Sequence, residues 1–376
     1  MRILVWQWGR RGAGPRVAVN LAEGLRQVGG VDVVLSLSTG AEILRAAAPP
    51  RCDLPAVTYE NASGFLRRLA QWPRAVGPLA GRLRSLRVDA AICAMPAPLD
   101  FLMMSALRRA RIPAIVVIHD ADAHPGDGRP FQMALQRRQA RRADALVALT
   151  GHVADRLRQQ GLGGGTPNTK PLFTASLPPL VFGSAPPPGM HGGRLRLLSF
   201  GRLLPYKGLD LLADALRLLG PAPPFETRVV GSGPESATLN RLRALPGVSV
   251  ENRWVPEDEV GDLLAWADAL VLSHTEASQS GVAAAAIAAR RWVVSTRVGG
   301  LSEQLSGERL ARLCQPDAVS LAASLRSLLA SAPVSGPAIA DPRAAWRDVA
   351  ESLILQIEQS LLGRSVRVGH LAMSPA

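Results

Sequence analysis

Lys207 is one of two lysines in a chain that carries 41 arginines, the other being Lys170. It stands in Phe200-Gly201-Arg202-Leu203-Leu204-Pro205-Tyr206-Lys207-Gly208-Leu209-Asp210, between a strand-like run and a helix-like run. Where nearly every cation is a guanidinium, one ammonium behind a glycine-containing turn suits a site that needs a compact point charge, as phosphate sites often do. Arg202 in the same segment offers a planar fork of donors. Ser280-Gly281-Val282 opens a helix-like run of alanines, whose free N–H groups and dipole attract an anion, and Gly281 has no side chain to block its approach. Gly12-Ala13-Gly14 before Pro15 is a similar arrangement near the N-terminus, although such a turn serves equally well simply to redirect the chain. Asp120-Ala121-Asp122, after an apolar run, has the carboxylates for a hard divalent cation. The Arg202/Lys207 pair argues instead for neutralising a phosphate without metal.

Groups so far apart in sequence need a scaffold that brings loops together. Short apolar runs of strand length at 2–6, 31–36, 89–94, 114–118 and 145–149 alternate with helix-period stretches near 15–28, 63–87, 98–110, 129–142 and 152–160. A second series has strands at 195–200, 227–231, 248–251, 269–273 and 292–295, with helices near 208–219, 235–244, 257–267 and 281–290. Each series predicts a doubly wound α/β sheet, hence two tandem Rossmann-like domains facing a central cleft beyond the carboxyl ends of the strands. The expected division is 1–185 for an N-terminal domain, 186–345 for a C-terminal domain, and 346–376 for a helix that packs back on the N-terminal domain, followed by a tail. The breaker-rich stretch from Gly163-Gly164-Gly165 through Pro178-Pro179 to Pro186-Pro187-Pro188-Gly189 and Gly192-Gly193 reads as the linker.

Composition narrows the setting. Cys52, Cys93 and Cys314 are odd in number, far apart and without CxxC spacing, which supports neither a disulfide framework nor a zinc site and points to a reducing cytosol. No apolar leader precedes the first strand and no apolar run approaches about 18 residues, so a cytoplasmic location is expected. The net charge of +13 is concentrated in the first half: residues 1–185 hold 24 Lys and Arg against 12 Asp and Glu, and residues 186–376 hold 19 against 18. Arg67, Arg68, Arg74, Arg82, Arg84 and Arg87 interleave with Phe65, Leu66, Leu69, Trp72, Leu79, Leu83 and Leu86, as in a basic amphipathic surface element. An anionic membrane surface at the inner leaflet is the partner this pattern suggests, alongside a plainly solvated role. No nucleic-acid module accompanies it.

Taken in order, Phe200-Gly201-Arg202 with Lys207-Gly208, Val229-Val230-Gly231-Ser232-Gly233-Pro234, Ala267-Asp268-Ala269-Leu270-Val271-Leu272, Glu276 with Ser280-Gly281-Val282, and Thr296-Arg297-Val298-Gly299-Gly300-Leu301-Ser302-Glu303 resemble the retaining GT-B glycosyltransferases of family GT4. The likeness spans about 195–305 and is looser in the first half, where Gly9, Gly12, Gly14 and Ile118-His119-Asp120 carry it. It implies a nucleotide-sugar donor on the C-terminal domain and a glycan, glycolipid or other hydroxyl acceptor on the N-terminal one, in bacterial glycan or glycolipid biosynthesis. Arg202 and Lys207 would then hold the diphosphate, with Gly12, Gly14, Gly201, Gly231, Gly233, Val255, Ser280, Gly281 and Val282 around the donor. Glu276 matches the first glutamate of an E-x7-E motif, whose implied role is to bind the donor sugar's hydroxyls. The second glutamate, which holds the ribose, falls on Ala284, so Glu303 or a backbone contact is the expected substitute. His119 is implied to contact a sugar hydroxyl, and His124 is a weaker candidate for acceptor contact. The implied chemistry is front-face attack in which the leaving phosphate takes the acceptor's proton, with no metal, no protein base and no cofactor besides the donor substrate. Two other readings remain: a non-catalytic nucleotide-sugar-binding subunit, suggested by Ala284, and a nucleotide-sugar 2-epimerase, which needs acid/base carboxylates in the cleft.

Overall fold

The computed structural model describes residues 1–46, 48–127, 130–164, 169–183, 194–221, 225–331 and 341–363. The first sheet is built from β1 (Arg2–Gln7), β2 (Asp32–Leu37), β3 (Ala90–Cys93), β4 (Ala114–Ile118), β5 (Ala145–Ala148) and β6 (Leu172–Thr174). Between them run α1 (Ala13–Arg26), α2 (Ala62–Ser85), α3 (Asp100–Ala110), α4 (Pro130–Arg142) and α5 (Gly151–Gln159). The second sheet contains β7 (Leu195–Phe200), β8 (Phe225–Gly231), β9 (Val248–Asn252), β10 (Ala269–Leu272), β11 (Trp292–Thr296) and β12 (Ala311–Cys314). Its helices are α6 (Leu209–Leu218), α7 (Ala237–Arg243), α8 (Glu257–Trp266), α9 (Gly281–Ala288), α10 (Gly299–Gln304) and α11 (Ala318–Ser331), and α12 (Pro342–Ser360) ends the described chain.

Each sheet is six-stranded and parallel, in the orders β2-β1-β3-β4-β5-β6 and β12-β11-β10-β7-β8-β9. Period-two alternation sorts the first sheet's side chains into two cores. Ile3, Val5, Leu35, Ile92, Ile115 and Val147 face one helix layer, and Leu4, Trp6, Val34, Cys93, Val116 and Leu146 face the other. Burial on both faces is why these strands read as continuous apolar runs.

The expected linker is only partly one. Residues 169–183 supply β6, which pairs with β5 as a sixth strand, and Leu180, which is fully buried in the N-terminal core. An edge strand tolerates neighbouring prolines because one side of its backbone needs no partner. The remainder of that stretch, 165–168 and 184–193, lies outside the described residues, as does the tail from 364. Beyond the expected elements the structure adds β12, α10 and α11. The last helix, α12, sets Trp346, Ala350, Leu353, Ile354 and Ile357 into the N-terminal core, lying so close to α1 that a Cβ on Gly24 would come within 2.5 Å of the Trp346 carbonyl.

The topology explains how distant residues meet. In the second sheet the chain leaves β7 toward β8 and β9, then returns to β10 on the other side of β7. The loops that follow β7 and β10 therefore sit side by side at the switch point, where open α/β sheets bind ligands. The first loop carries Arg202 and Lys207, and the second carries His274 and Glu276.

Candidate active site

The C-terminal wall is a pair of interlocked loops. Thr275 N–H donates to the Tyr206 carbonyl at 2.9 Å, and Ser273 Oγ donates to the Lys207 carbonyl at 2.9 Å. Gly208, at φ +63°, lets the loops touch, since a Cβ there would lie 1.9 Å from the Ser273 carbonyl oxygen. Gly231 and Gly233 serve the same strand ends: a Cβ on Gly231 would meet the Gly201 carbonyl at 1.6 Å. Their bareness thus has a packing cause of its own, independent of any ligand.

Lys207 is half-buried in this wall, with Nζ 2.8 Å from His274 Nε2. Desolvation, and after it the charge of Arg202, depress its pKa to about 8. His274 is buried, and burial together with the Lys207 charge holds its imidazole neutral, well below the ordinary histidine range. Tyr206 forms the floor: the Arg202 guanidinium lies 5.3 Å and Lys207 Nζ 5.2 Å from its ring centroid, and burial pushes its hydroxyl up to about 12.

The N-terminal wall reaches across and seats on that floor. After β4, the segment 119–127 stacks His124 on Tyr206, with 4.5 Å between centroids and 15° between planes. His124 Nε2 lies 3.0 Å from Asp120 Oδ1, and Nδ1 lies 3.3 Å from Glu276 Oε1 in the other domain. Burial alone would lower the His124 pKa, but the Asp120 hydrogen bond and the two carboxylate charges outweigh it and raise it. Asp127 forms an ion pair with Arg202, and Gly126, at φ +83°, packs so tightly on Pro205 that a Cβ would lie 2.5 Å from its ring.

Two helix N-termini close the site. An ideal Cβ on Gly281 would lie 3.8 Å from Ala13 Cβ, so the first turns of α9 and α1 abut across the cleft. Ser280 N–H donates to Gln304 and Ala283 N–H to the Ser280 hydroxyl, while Gly281 and Val282 N–H have no such protein partner among the described residues. Gly201 joins this corner to the lysine: a Cβ there would be 3.7 Å from Val282 and 3.9 Å from Lys207 Nζ. Gly12, at φ +81°, has open space around it, and Gly14 packs on Gln7 and Met95. Two positive dipole ends thus meet beside the Lys207 ammonium, with the Arg202 guanidinium next to that ammonium over Tyr206.

Several expectations need correction. His119 has no ring nitrogen left for a sugar hydroxyl: Nε2 donates to the Ala94 carbonyl at 3.0 Å, and Nδ1 accepts from Gln279 Nε2 at 2.9 Å across the cleft. Burial lowers its pKa, consistent with that neutral tautomer. Glu303, expected near the ribose, instead accepts from Gly151 N–H and His152 N–H at 2.7 and 2.8 Å, capping α5 of the opposite domain. Ala284 is buried, with its carbonyl accepting from Leu180 N–H. Val255 is a buried core residue, packed in the cluster that includes Val260 and Leu264. Asp120 and Asp122 diverge: the former takes His124, and the latter pairs with Arg156 at 2.8 Å and Arg137 at 3.6 Å. Nothing in the sequence gives weight to His124 or singles out His274, Tyr206 and Asp127, because their partners are brought to them only by the fold.

Two facing Rossmann-like domains with paired cations at the switch point of the second define the class, a GT-B glycosyltransferase. Residues 14–165 match the family described as Glycosyltransferase Family 4 and residues 194–331 match Glycosyl transferases group 1, so the two halves of the chain belong to these glycosyltransferase families. The chain is similar over 95% of its length to 97% of sucrose-phosphate synthase from Thermosynechococcus elongatus, with 16% identity and a TM-score of 0.63. It is similar over 97% of its length to the whole of Anabaena Alr3699/HepE, solved with UDP and glucose, with 16% identity and a TM-score of 0.64. A putative UDP-N-acetylglucosamine 2-epimerase from Listeria monocytogenes shares the fold over 97% of this chain and 98% of its own, with 11% identity and a TM-score of 0.62. Comparison with curated proteins finds no match.

Proposed function

We propose that the protein transfers a sugar from a nucleoside diphosphate donor to an acceptor hydroxyl with retention of configuration and without metal. The observation that carries this reading is Lys207 with Arg202 beside it, joined through Gly201 to the first turn of α9, which abuts that of α1. As the glycosidic bond breaks, charge collects on the diphosphate, and preorganised cations and N–H groups stabilise it there without reorganising. Lys207 and Arg202 supply the charge, Gly281 and Val282 the backbone donors. Glu276 receives hydroxyls of the donor sugar in this reading, which its half-exposed carboxylate beside His124 supports. The leaving phosphate takes the acceptor's proton. Arg202 is held by Asp127 and Glu276 by His124, so the donor displaces a carboxylate from the one and shares the other.

The acceptor domain carries the positive charge, and α2 presents Leu66 and Leu69 to solvent beside Arg67 and Arg74. That face supports an acceptor displayed at an anionic membrane surface, with the enzyme in the cytoplasm. No helix among the described residues is long and apolar enough to cross a membrane.

Thermal stabilisation by UDP-, GDP-, ADP- and dTDP-sugars identifies the donor, because a ligand that binds only the folded state raises its apparent stability. Transfer to a hydroxyl acceptor then follows in the presence of excess EDTA. Chelation that abolishes transfer, with Mn²⁺ or Mg²⁺ restoring it, would overturn the metal-free reading. Isomerisation of UDP-N-acetylglucosamine without any acceptor would replace transfer by epimerisation, for which Asp120, Asp127 and Glu276 are carboxylates within the cleft.

A further inference from the structure

We infer that His274 is the positioning residue for the Lys207 ammonium, fixing it at the switch point with a neutral acceptor so that its full charge and its remaining N–H groups stay available to an anion. The inference rests on the reading that Lys207 meets the donor diphosphate.

A buried ammonium is ordinarily held by a carboxylate, because desolvating an unpaired charge is costly. A carboxylate at this place would satisfy Lys207 but cancel its charge and repel the diphosphate. An apolar neighbour would leave the ammonium unanchored. Neutral imidazole does neither: its Nε2, 2.8 Å from Nζ, accepts one of the three N–H bonds and adds no charge. The roles are fixed by the surroundings. His274 is 3% exposed, with Lys207 and the raised-pKa His124 around it, and both disfavour a second positive charge there. Lys207 therefore donates and Nε2 accepts, which leaves the ring proton on Nδ1, a buried atom with no hydrogen-bond partner among the described residues. The backbone of each partner is also pinned. Thr296 Oγ1 donates to the His274 carbonyl at 2.6 Å, and Ser273 Oγ to the Lys207 carbonyl at 2.9 Å. Around Nζ stand Arg202 and the Tyr206 ring, with the Asp120 carboxylate contributing from the facing domain.

The test compares three variants. His274→Gln keeps a neutral acceptor, His274→Leu removes it, and His274→Glu replaces it with an anion. Affinity is measured at pH 7 for whichever of UDP, GDP, ADP and dTDP binds the wild type most tightly. Gln is expected to bind within about threefold of wild type, Leu about tenfold more weakly, and Glu more weakly still, about 100-fold, as expected for losing one charge-assisted contact and then the charge itself. Leu binding like wild type, Gln as poor as Leu, or Glu as tight as wild type would each overturn the assignment. Histidine ring ¹⁵N spectra of the wild type judge the pair without any ligand, the His274 signal being identified by its loss in His274→Gln. That ring should be the Nδ1–H tautomer, remain neutral through the ordinary titration near pH 6.5, and shift in Lys207→Met. A ring that titrates there, or carries its proton on Nε2, sinks the inference even if a variant fails to fold. A wild type that binds none of the four nucleotides sinks the donor reading instead, and the spectra still decide the pair.

Discussion

Both lysines of this chain sit where an ammonium does what a guanidinium does poorly. Lys170 Nζ donates to the carbonyls of Ala140, Arg141 and Ala143, gathering the C-terminus of α4 around one point charge. Lys207 precedes Gly208, where the two loops touch so closely that no Cβ fits, and its Nζ lies 2.8 Å from His274 Nε2, a setting that suits a compact ammonium better than a planar fork. Replacing Lys207 or Arg202 by Ala should lower turnover by about two to three orders of magnitude, the scale of one preorganised transition-state contact, with the fold intact by circular dichroism. Lys207→Arg should also be impaired, and wild-type rates from both Ala variants would remove the diphosphate assignment. The depressed Lys207 pKa adds a pH dependence. Below about 8 the ammonium is already present in the free protein; above it the lysine is neutral and the diphosphate must draw in a proton. Nucleotide affinity should therefore be flat from pH 6.5 to 7.5 and fall by up to about tenfold per pH unit above 8, with proton uptake visible by calorimetry in buffers of different ionisation enthalpy. A flat profile to pH 9.5 would show that Lys207 does not bind the diphosphate. Lys207 is legible in sequence because its type is rare. His124 is not, because the carboxylate that gives it meaning, Glu276, lies 152 positions away.

At the scale of elements, alternation of apolar strands and amphipathic helices predicts ten of the twelve strands among the described residues, since parallel strands buried on both faces leave a strong signature, while their order in the sheets comes from the structure. Most of what it misses lacks that signature, the exception being α11, which has a regular apolar face at Leu321, Leu325 and Leu328. β12 is mostly half-buried, α10 is six residues long, and β6 hides between prolines at a sheet edge. Loop geometry is equally silent in sequence, yet it decides the site: Gly208 and Gly231 look like ordinary turn glycines and are sites where no Cβ fits. Gly208→Ala adds left-handed strain to a backbone collision, so urea denaturation should show a loss of at least about 2 kcal/mol and donor binding should fail with it. Gly81→Ala, inside α2 with open space around it, is the control and should be neutral or stabilising by about 0.5–1 kcal/mol. Equal stability of the two variants would mean that the crossing of the two loops is looser than its geometry indicates.

At the scale of the molecule, the two domains are fastened by contacts spread along the cleft: Arg16 with Glu257, Trp254 Nε1 with Glu42, Glu303 at the start of α5, and His124 with Glu276. Of these, His124 with Glu276 joins the site's own walls, so donor entry and domain opening share that interaction. The charge asymmetry acts at this scale too. The N-terminal half carries 24 cationic residues against 12 acidic ones, and the helix expected to be amphipathic exposes Leu66 and Leu69 together with Arg67, Arg74 and Arg82. Arg68 is partly committed, donating to the Thr58 carbonyl at 3.1 Å. Each free cation near an anionic leaflet contributes about 1 kcal/mol, and the exposed leucines add apolar contact. Co-sedimentation with vesicles should therefore show binding to anionic but not neutral lipid, weakened by salt because the Debye length shrinks to about 3 Å at 1 M. Replacing Arg67, Arg74 and Arg82 by Gln should lower that binding by about two orders of magnitude, and replacing Arg68 alone should change it least. Indifference of the wild type to lipid charge would rule out electrostatic attachment through α2 and leave a freely diffusing acceptor as the partner of the basic domain.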